Sequence, residues 1–271
     1  MAVTSTYLLD YLPIEVDRLV SMARTLAPEV RGVAERAGLR AGGRAIDLGC
    51  GPAGALLALR EVVGADGAVV GVDANPAALD TAQEILARVG FADVELVVAD
   101  INEVDAEALG AGTFDLAFSR LVLMHQPDPA RTLSMITKLV RPGGAVVAFD
   151  MLRPPLIEPS CGALDRAWEL LAAGMQHLGA HPDTSRRYTD LATSAGLEVV
   201  SQRGVFFPVP PIAAIGETTG LLRAASTALT SSRLATAEEI ECILHDLEAA
   251  PPALEFATTP FAVELIARKP A

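Results

Sequence analysis

Apolar and polar positions follow two distinct patterns along the chain from residue 44 onward. Short, almost continuous apolar runs, typical of strands buried on both faces, occur in "RAIDLG", "GAVVGVD", "VELVVAD", "FDLAFS" and "GAVVAFDM". The stretches between them have the period of amphipathic helices: "PAGALLALREVV", "NPAALDTAQEILARVG", "NEVDAEALG" and "PARTLSMITKLVR". This alternation of strand and helix predicts an α/β fold with a parallel, doubly wound sheet.

Helix boundaries within this region carry recognisable end signals. Asn75 and Asp128 are each followed by proline, which is typical of an N-cap residue and the first helical position. The segment "RPGG" at 141–144 is expected to close the helix that precedes the fifth strand.

The chain on either side of the alternating region is mostly helical. Before residue 44 we expect two helices, at about 14–26 and 28–38, with Pro28 starting the second. After residue 150, "LRPPLIEPS" indicates a proline-rich connection. Helices are predicted in "CGALDRAWELLAAGMQHLG" and "RRYTDLATSAG", and at 211–231 and 236–250. A sixth strand is expected in "LEVVSQRGVFFPV" and a last one in "LEFATTPFAVELIARKP".

The composition narrows the kinds of partner that the chain can bind. Of its 271 residues, 51% are hydrophobic but only 4% are aromatic, which predicts a core of alanine, leucine, valine and isoleucine. The formal net charge of −13 argues against nucleic acid and against an anionic membrane surface as partners. Neither a signal peptide nor a transmembrane helix is predicted.

The cysteines indicate a reducing environment. Cys50, Cys161 and Cys242 lie far apart and form no C-x-x-C pair, which argues against a disulfide framework and a zinc site. Histidines and carboxylates also lack the spacing of a metal site. We therefore expect a cytoplasmic protein that holds no metal.

The stretch "AIDLGCGPAG" contains the most informative loop of the sequence. Gly49, Gly51 and Gly54 form a G-x-G-x-x-G pattern, and an acid, Asp73, follows 19 residues after the last glycine. Glycines between a strand and a helix let backbone N–H groups approach a nucleotide-like ligand closely. A tight turn without a ligand is the alternative.

Two kinds of nucleotide-like ligand compete for this loop. Asp73 can hold a ribose diol in either case. Asp47, just before the loop, would repel the pyrophosphate of a dinucleotide but favours the ammonium and sulfonium groups of S-adenosylmethionine. Asp100, at the end of the third predicted strand, can accept a hydrogen bond from an adenine amine. Helix N-caps at the strand ends are the structural alternative for these acids.

Five ordered segments resemble the motifs of the class I S-adenosylmethionine-dependent methyltransferases, in the branch that methylates quinones and other small molecules in bacterial biosynthesis. They are "AIDLGCGPAG", "VVGVDANP", "VVADINEV", "FDLAFSRLVLMHQPDP" and "LVRPGGAVVAFDM". The opening "YLLDYLPIEVDRL" is similar to a tyrosine- and arginine-bearing helix in part of this branch. The resemblance is strong over residues 7–151 and looser over 186–269.

The resemblance implies a fold and an organisation for the whole chain. The family fold is a seven-stranded, mostly parallel sheet of order 3-2-1-4-5-7-6, in which strand 7 is antiparallel. Residues 1–271 would form a single Rossmann-like domain, with residues 1–40 as an N-terminal helical cap. Helical insertions at 152–185 and 210–252 would form a lid over the substrate.

The resemblance also implies a set of cofactor-binding residues. Gly49, Cys50 and Gly51 would contact the methionine moiety through their backbone, and Asp47 its amino group. Asp73 would hold the ribose, Asp100 and Ile101 the adenine, and the backbone of Ser119 and Arg120 the methionine end. The remaining expected cofactor contacts are Tyr11, Arg18, Ala74 and His125. Two positions depart from the family pattern, since Ala53 replaces the usual third glycine and Met22 an expected glutamine.

The residues that would assist methyl transfer are less evident. The reaction is an in-line displacement at a sulfonium methyl group, which needs alignment, exclusion of water and sometimes a base. His177 and His181 lie in the region expected to cover the substrate and are the candidate bases, with solvated histidines as the alternative. Tyr7 is a candidate for lining the transfer channel. Trp168 either stacks on a flat substrate or packs in the core.

These observations lead to a ranked set of functions. The first is methyl transfer from S-adenosylmethionine, with S-adenosylhomocysteine as product, to an apolar or aromatic small molecule in secondary-metabolite or quinone-type biosynthesis. The alternative on the same fold is a cyclase or a non-methylating binder that retains the cofactor. A dinucleotide oxidoreductase and a methyltransferase of protein or nucleic acid are disfavoured by Asp47 and by the charge, respectively. The expected assembly is a monomer or a homodimer.

Overall fold

A computed structural model describes residues 8–9, 13–52 and 54–271. The helices are α1 (Pro13–Ala37), α2 (Leu56–Val63), α3 (Pro76–Arg88), α4 (Pro129–Leu139), α5 (Gly162–His177), α6 (Tyr188–Ser194), α7 (Pro211–Ser231) and α8 (Ala237–Ala249). The strands are β1 (Arg44–Leu48), β2 (Ala68–Asp73), β3 (Glu95–Val98), β4 (Phe114–Arg120), β5 (Val140–Arg153), β6 (Ile157–Glu158), β7 (Glu198–Val205), β8 (Pro208–Val209), β9 (Phe256–Thr258) and β10 (Phe261–Arg268).

The main sheet has seven strands in the order β3-β2-β1-β4-β5-β10-β7. The pairings of β1 with β2 and β4, of β2 with β3 and of β4 with β5 are parallel. The strand β10 runs antiparallel to both of its neighbours, β5 and β7. Counted along the main sheet, this is the order 3-2-1-4-5-7-6 with an antiparallel last strand, so the predicted fold is confirmed.

Aliphatic side chains fill the space on both faces of this sheet. One core contains Ile46 and Leu48 of β1 together with residues of α4 and α6. The other contains Ala45 of β1 with residues of α1, α2 and α3. Neighbouring residues of β1 therefore face opposite cores, as the pleat of a strand requires.

A third core lies between α5, α7 and α8 and contacts the ends of β4 and β5 through Leu121, Met124 and Met151. Trp168 is buried there, and its indole N–H donates to the Thr218 hydroxyl at 3.2 Å. Packing within the helices, rather than stacking on a substrate, therefore accounts for this tryptophan. The bundle packs against the carboxyl ends of β4 and β5, at the edge where α/β sheets bind their ligands.

Residue Leu8 attaches the start of the described chain to this third core. Its side chain is buried between α5 and α7, and a Cβ added to Gly174 would lie 2.9 Å from Leu8 Cδ1. The missing side chain of Gly174 thus makes room for Leu8.

The predicted break at Pro28 is wrong, because α1 is one helix with Pro28 inside it. Proline cannot donate a hydrogen bond to the preceding turn, which disfavours helix locally. Apolar side chains on both sides of Pro28 are nevertheless buried, including Ala23, Val30 and Val33. Tertiary packing along the helix therefore outweighs the local cost of the proline.

The last predicted strand is divided into β9 and β10. The strand β9 pairs with β6 and β8 in a separate three-stranded sheet that the sequence did not reveal. This second sheet also includes part of the segment predicted as a proline-rich connection.

The four-residue segment "RPGG" at 141–144 lies in β5 rather than after the end of a helix.

The helix–strand contact at the far side of the sheet centres on Glu264. Its buried carboxylate accepts hydrogen bonds from Arg36 of α1 at 3.0 Å and from Arg203 of β7 at 2.8 Å. Both arginines also pair with Glu29. One buried acid thereby connects α1, β7 and β10.

The substitution Glu264→Gln tests how much this cluster contributes. It leaves a buried neutral amide facing two guanidinium groups, each on a side chain that keeps 43% of its exposure, so we expect the free energy of unfolding to fall by about 1–2 kcal/mol. The control is Glu84→Gln, which breaks an exposed pair with Arg88 on α3 and is expected to cost less than about 0.5 kcal/mol. Urea unfolding followed by circular dichroism measures both, and equal losses would show that Glu264 acts as an ordinary surface charge.

Candidate active site

The glycine loop lies at the carboxyl end of β1 and is fastened to the neighbouring strand. The backbone N–H groups of Gly49 and Cys50 both donate to the Val72 carbonyl of β2, at 2.8 and 3.0 Å. Cys50 is buried, and burial raises the pKa of its thiol, so the side chain acts as a neutral packing group. The loop therefore presents backbone, not side chains, toward the ends of the strands.

Two glycines of this loop differ in what surrounds them. A Cβ added to Gly54 would lie 2.3 Å from the Cys50 carbonyl oxygen and 2.5 Å from Asp47 Oδ2. A Cβ on Gly51 would meet no described atom within 4 Å, although its φ of +55° is in the left-handed region. Gly54 thus allows a close internal contact, whereas Gly51 borders open space where a ligand fits. This close contact explains why position 54 is a glycine, whereas the family pattern has its third glycine at the position of Ala53.

Asp47 is buried beneath the loop. Its Oδ2 accepts a hydrogen bond from the Ala55 N–H at 2.7 Å. Burial raises the pKa of this carboxyl to about 7, while the Ala55 hydrogen bond and the charge of Arg120 oppose the rise. A cation placed above the loop would favour the charged form of Asp47.

Asp73, the last residue of β2, supports the loop from the other side. Its two oxygens accept hydrogen bonds from the backbone N–H groups of Gly51 and Asn75, each at 2.8 Å. Burial raises its pKa, and these hydrogen bonds oppose the rise. Each carboxylate oxygen keeps a further lone pair, so Asp73 can also accept from the hydroxyls of a ribose.

Asp100 belongs to a network of amide and hydroxyl groups. It accepts hydrogen bonds from the backbone and side chain of Asn102, at 2.8 and 3.1 Å. The Asn102 amide also donates to Gln126 at 2.7 Å, and the Thr132 hydroxyl donates to Asn102 at 3.0 Å. The segment after β3, including the buried Ile101, is thereby fixed to the segment after β4. Asn102 and Gln126 both lie inside segments that resemble family motifs, but the sequence did not show that their side chains meet.

The end of β4 contributes two polar side chains with unused hydrogen-bonding atoms. In the described part of the chain, neither the Ser119 hydroxyl nor Nε and Nη1 of Arg120 has a hydrogen-bond partner. The Nη2 of Arg120 donates to the Gly54 carbonyl at 3.1 Å. Burial lowers the pKa of this guanidinium, Asp47 opposes the change, and Arg18 adds to it. Buried donors of this kind need an acceptor, and an anionic group at the glycine loop would supply one.

The segment after β4 is held in a strained conformation. Leu121 has a φ of +56°, which is unusual for a residue other than glycine. Asp150, at the end of β5, accepts hydrogen bonds from the backbone N–H groups of Val122 and Met124, both at 3.0 Å. Burial raises the pKa of Asp150 to about 7, and the Tyr188 hydroxyl interacts with it outside regular hydrogen-bond geometry. Asp150 therefore positions this segment and does not project into the site.

The predicted histidines occupy three different environments. Burial lowers the pKa of His125 to about 4, so its imidazole is neutral near pH 7. His181 is exposed, its backbone N–H donates to Met124 at 2.7 Å, and its ring Nε2 lies 3.1 Å from the Pro127 carbonyl oxygen. His177 is exposed at the end of α5. His181 is thus tied to the segment after β4, whereas His177 is not.

Other predicted residues are placed as follows. Tyr7, Tyr11 and Ala53 lie outside the described residues. Ala74 is exposed beside Asp73. Arg18 of α1 pairs with Glu15 at 2.8 Å and with Glu217 of α7 at 3.6 Å. Glu217 was not predicted, because the chain gives no local signal that α7 meets α1.

Residues 8–9, 13–52 and 54–271 contain neither a metal-binding cluster nor a membrane-spanning helix. No group of three or more histidine, cysteine, aspartate or glutamate residues there is arranged to hold a metal ion. Within the same ranges, every helix is too short or too polar to span a bilayer.

Residues 39–192 match the family model described as a methyltransferase domain, which is more than half of the chain. The chain belongs to this family. The predicted class I S-adenosylmethionine-dependent methyltransferase family is therefore confirmed, and with it the cofactor class of that family. Demethylmenaquinone methyltransferase of Bacillus cereus is 31% identical over 119 residues, or 44% of this chain and 49% of the relative. The match thus spans about half the length of that curated relative.

Solved structures share the fold at low sequence identity. Geranyl diphosphate C-methyltransferase of Streptomyces coelicolor aligns with a TM-score of 0.57 and 14% identity, covering 93% of this chain and 83% of the other. The (4+2)-cyclase SpnF aligns with a TM-score of 0.55 and 17% identity, covering 90% of this chain and 82% of the other. At such identities the likeness concerns the fold alone.

The raised pKa of Asp47 predicts how stability of the free protein depends on pH. The unfolded carboxyl has a pKa of 3.8 and the folded one about 7, so the folded state binds the proton more tightly. The resulting stabilisation is complete below the unfolded pKa and is lost as pH rises through about 7. Between about pH 5.5 and pH 8, the wild type should therefore lose more stability than Asp47→Asn in matched thermal unfolding experiments. Asp150, whose pKa is also raised to about 7, is present in both proteins and contributes equally to both profiles. Identical pH profiles of the two proteins would therefore contradict the prediction.

Alanine substitutions at Gly51 and Gly54 should separate binding from folding. Gly54→Ala forces a Cβ against backbone and is expected to destabilise the protein strongly, as a large loss of melting temperature. Gly51→Ala costs only about 1–2 kcal/mol of left-handed strain, and its methyl group enters the open space above the loop. We expect the folded Gly51→Ala protein to bind S-adenosylhomocysteine at least about tenfold more weakly. Unchanged affinity, measured by titration calorimetry, would show that the ligand does not lie there.

Proposed function

We propose that this protein transfers a methyl group from S-adenosylmethionine to an apolar or aromatic small molecule and releases S-adenosylhomocysteine. The observation that carries the proposal is the charge pattern around open space at Gly51. A buried acid, Asp47, lies beneath the loop, and a buried arginine with unused donors, Arg120, lies beside it. This pattern complements the ammonium and carboxylate groups of a zwitterionic amino-acid tail next to a positive sulfonium, and it opposes a pyrophosphate.

Each part of the cofactor has a proposed partner. Asp47 would take the ammonium group, and the guanidinium groups of Arg120 and Arg18 the carboxylate. Asp73 would accept hydrogen bonds from the ribose hydroxyls. Asp100 and Ile101 would hold the adenine, with the Asn102–Gln126 network fixing that segment in place. The cofactor supplies an electrophilic methyl group on a positive sulfur.

The chain contributes to the reaction mainly by placement and by excluding water. The helices α5, α7 and α8 would form a lid over the ends of β4 and β5, where their apolar core contacts the strand ends. An acceptor enclosed there would be aligned with the methyl group, so that its electron pair would form the new bond to the methyl carbon while the electrons of the methyl–sulfur bond would pass to sulfur. A proton leaves the acceptor when the acceptor is a hydroxyl or an amine.

His181 is the better placed of the two predicted bases. Its backbone is bonded to Met124, so it lies next to the segment after β4 that borders the site. His177 has no such connection among the described residues and lies exposed at the end of a helix. We therefore assign proton acceptance to His181, whose ring lies beside the segment after β4 with Nε2 3.1 Å from the Pro127 carbonyl oxygen.

The proposed acceptor class is supported by the apolar core of the proposed lid, and the names of one relative and one solved structure agree with it. The Bacillus cereus relative is named for demethylmenaquinone, and the Streptomyces coelicolor structure holds geranyl diphosphate and S-adenosylhomocysteine. From these two names we carry over to this chain only the general class of acceptor, an apolar small molecule. The free thiols Cys50, Cys161 and Cys242 suit a cytoplasmic setting.

A second candidate keeps the cofactor without consuming it. The same fold is found in the (4+2)-cyclase SpnF, and both predicted histidine bases are exposed. A cyclase or a non-methylating binder would leave the mass of the true substrate unchanged, whereas methyl transfer adds one methyl group. Mass spectrometry of the product separates the two.

Titration calorimetry with S-adenosylhomocysteine and with NAD tests the cofactor. We expect micromolar affinity for the first and no binding of the second. Asp73→Ala removes the ribose acceptor and should weaken S-adenosylhomocysteine binding by about 10- to 100-fold. The control Asp80→Ala, on the exposed face of α3, should bind like the wild type. Absence of binding by the wild type at high micromolar ligand would overturn the proposal.

A further inference from the structure

Arg18 of α1 lies between two glutamates that come from different parts of the fold. Glu15, three residues earlier on α1, accepts hydrogen bonds from Nε and Nη2 of Arg18, both at 2.8 Å. The remaining terminal nitrogen, Nη1, faces Glu217 of the lid helix α7 at 3.6 Å. Glu15 therefore occupies one edge of the guanidinium, and the other edge faces the lid.

Arg18 lies near Arg120 of the candidate site. The charge of Arg18 is close enough to lower the pKa of Arg120. Arg120 in turn donates to the Gly54 carbonyl of the loop. The carboxylate of Glu217 consequently lies in the region where two arginines would receive the anionic end of a cofactor.

The contact between Arg18 and Glu217 is an exchangeable one. At 3.6 Å the pair is longer than a hydrogen bond and is held by charge alone. The Glu217 side chain keeps 33% of its exposure, so water can take over when the pair separates. A ligand carboxylate in hydrogen-bond contact with Arg18 would be a stronger partner.

We propose that Glu217 occupies the outer edge of Arg18 in the cofactor-free protein and that the carboxylate of the cofactor displaces it. The inference rests on the proposed function, since it requires the cofactor to lie at the glycine loop. Displacement would release α7 from α1 at this point. Cofactor binding and the position of the lid helix are then linked through one arginine, with Glu217 as a positioning residue.

The experiment compares Glu217→Gln with a matched lid variant, Glu248→Gln. Glu248 of α8 forms an exposed pair with Arg223 at 2.6 Å. The probes are S-adenosylhomocysteine, which carries the amino-acid tail, and 5′-methylthioadenosine, which lacks it. Removing the competing carboxylate should tighten S-adenosylhomocysteine binding by about three- to tenfold in Glu217→Gln and leave 5′-methylthioadenosine binding unchanged. Glu248→Gln should change neither affinity.

Hydrogen exchange of α7 provides a readout that a general charge effect would not move. In the wild type, amides around residue 217 should exchange faster once S-adenosylhomocysteine is bound. In Glu217→Gln they should exchange fast already and respond little to the ligand. Glu217→Ala gives the same contrast should the glutamine variant fold poorly.

Several outcomes would overturn the inference. Unchanged or weaker S-adenosylhomocysteine binding in Glu217→Gln would show that Glu217 does not compete. If Glu217→Gln bound both probes more tightly by the same factor, the cause would be a long-range electrostatic field and not displacement. Unchanged hydrogen exchange of the α7 amides on ligand binding to the wild type would also contradict displacement. Failure of the wild type to bind S-adenosylhomocysteine contradicts the proposed function instead, and this result is seen before any variant is compared.

Discussion

The contact between Asp47 and the turn that follows it organises the site. The buried carboxylate at the end of β1 caps the backbone N–H of Ala55, where α2 begins, and touches the space that a side chain on Gly54 would need. One acid thereby sets the path of the glycine loop and the start of the helix behind it. It also leaves a desolvated carboxyl that gains its charge most readily beside a cation. The shape of the loop and its preference for a ligand therefore have a common cause.

The segment after β4 shows a second use of a buried carboxylate. Asp150 holds two backbone N–H groups of that segment, and His181 binds the Met124 carbonyl from the lid side. A strained Leu121 persists between these fixed points. This segment, which would form the border between cofactor and acceptor in the proposed function, is thus fixed by hydrogen bonds to Asp150 and His181.

Much of this arrangement could be read from the sequence, because parallel strands align their ends. Asp47, Asp73 and Asp100 stand at or near the carboxyl ends of three predicted strands, and the sheet order then brings them to one edge. Contacts between distant elements left no such pattern. Glu217 meets Arg18 across 199 positions, and the partners of Glu264 stand on α1 and β7. The continuity of α1 through Pro28 was also hidden, since the packing that maintains it is tertiary.

The third core gives the molecule a two-part design. The residues that would bind the cofactor stand on the sheet and the loops beside it, whereas α5, α7 and α8 bury their apolar faces mainly against one another. The family match ends at residue 192, before α7 and α8 begin. Under the proposed function, substitutions inside those helices would reshape the space for the acceptor while the sheet and the glycine loop keep their packing. A fold divided in this way can change its acceptor specificity through substitutions confined to α5, α7 and α8.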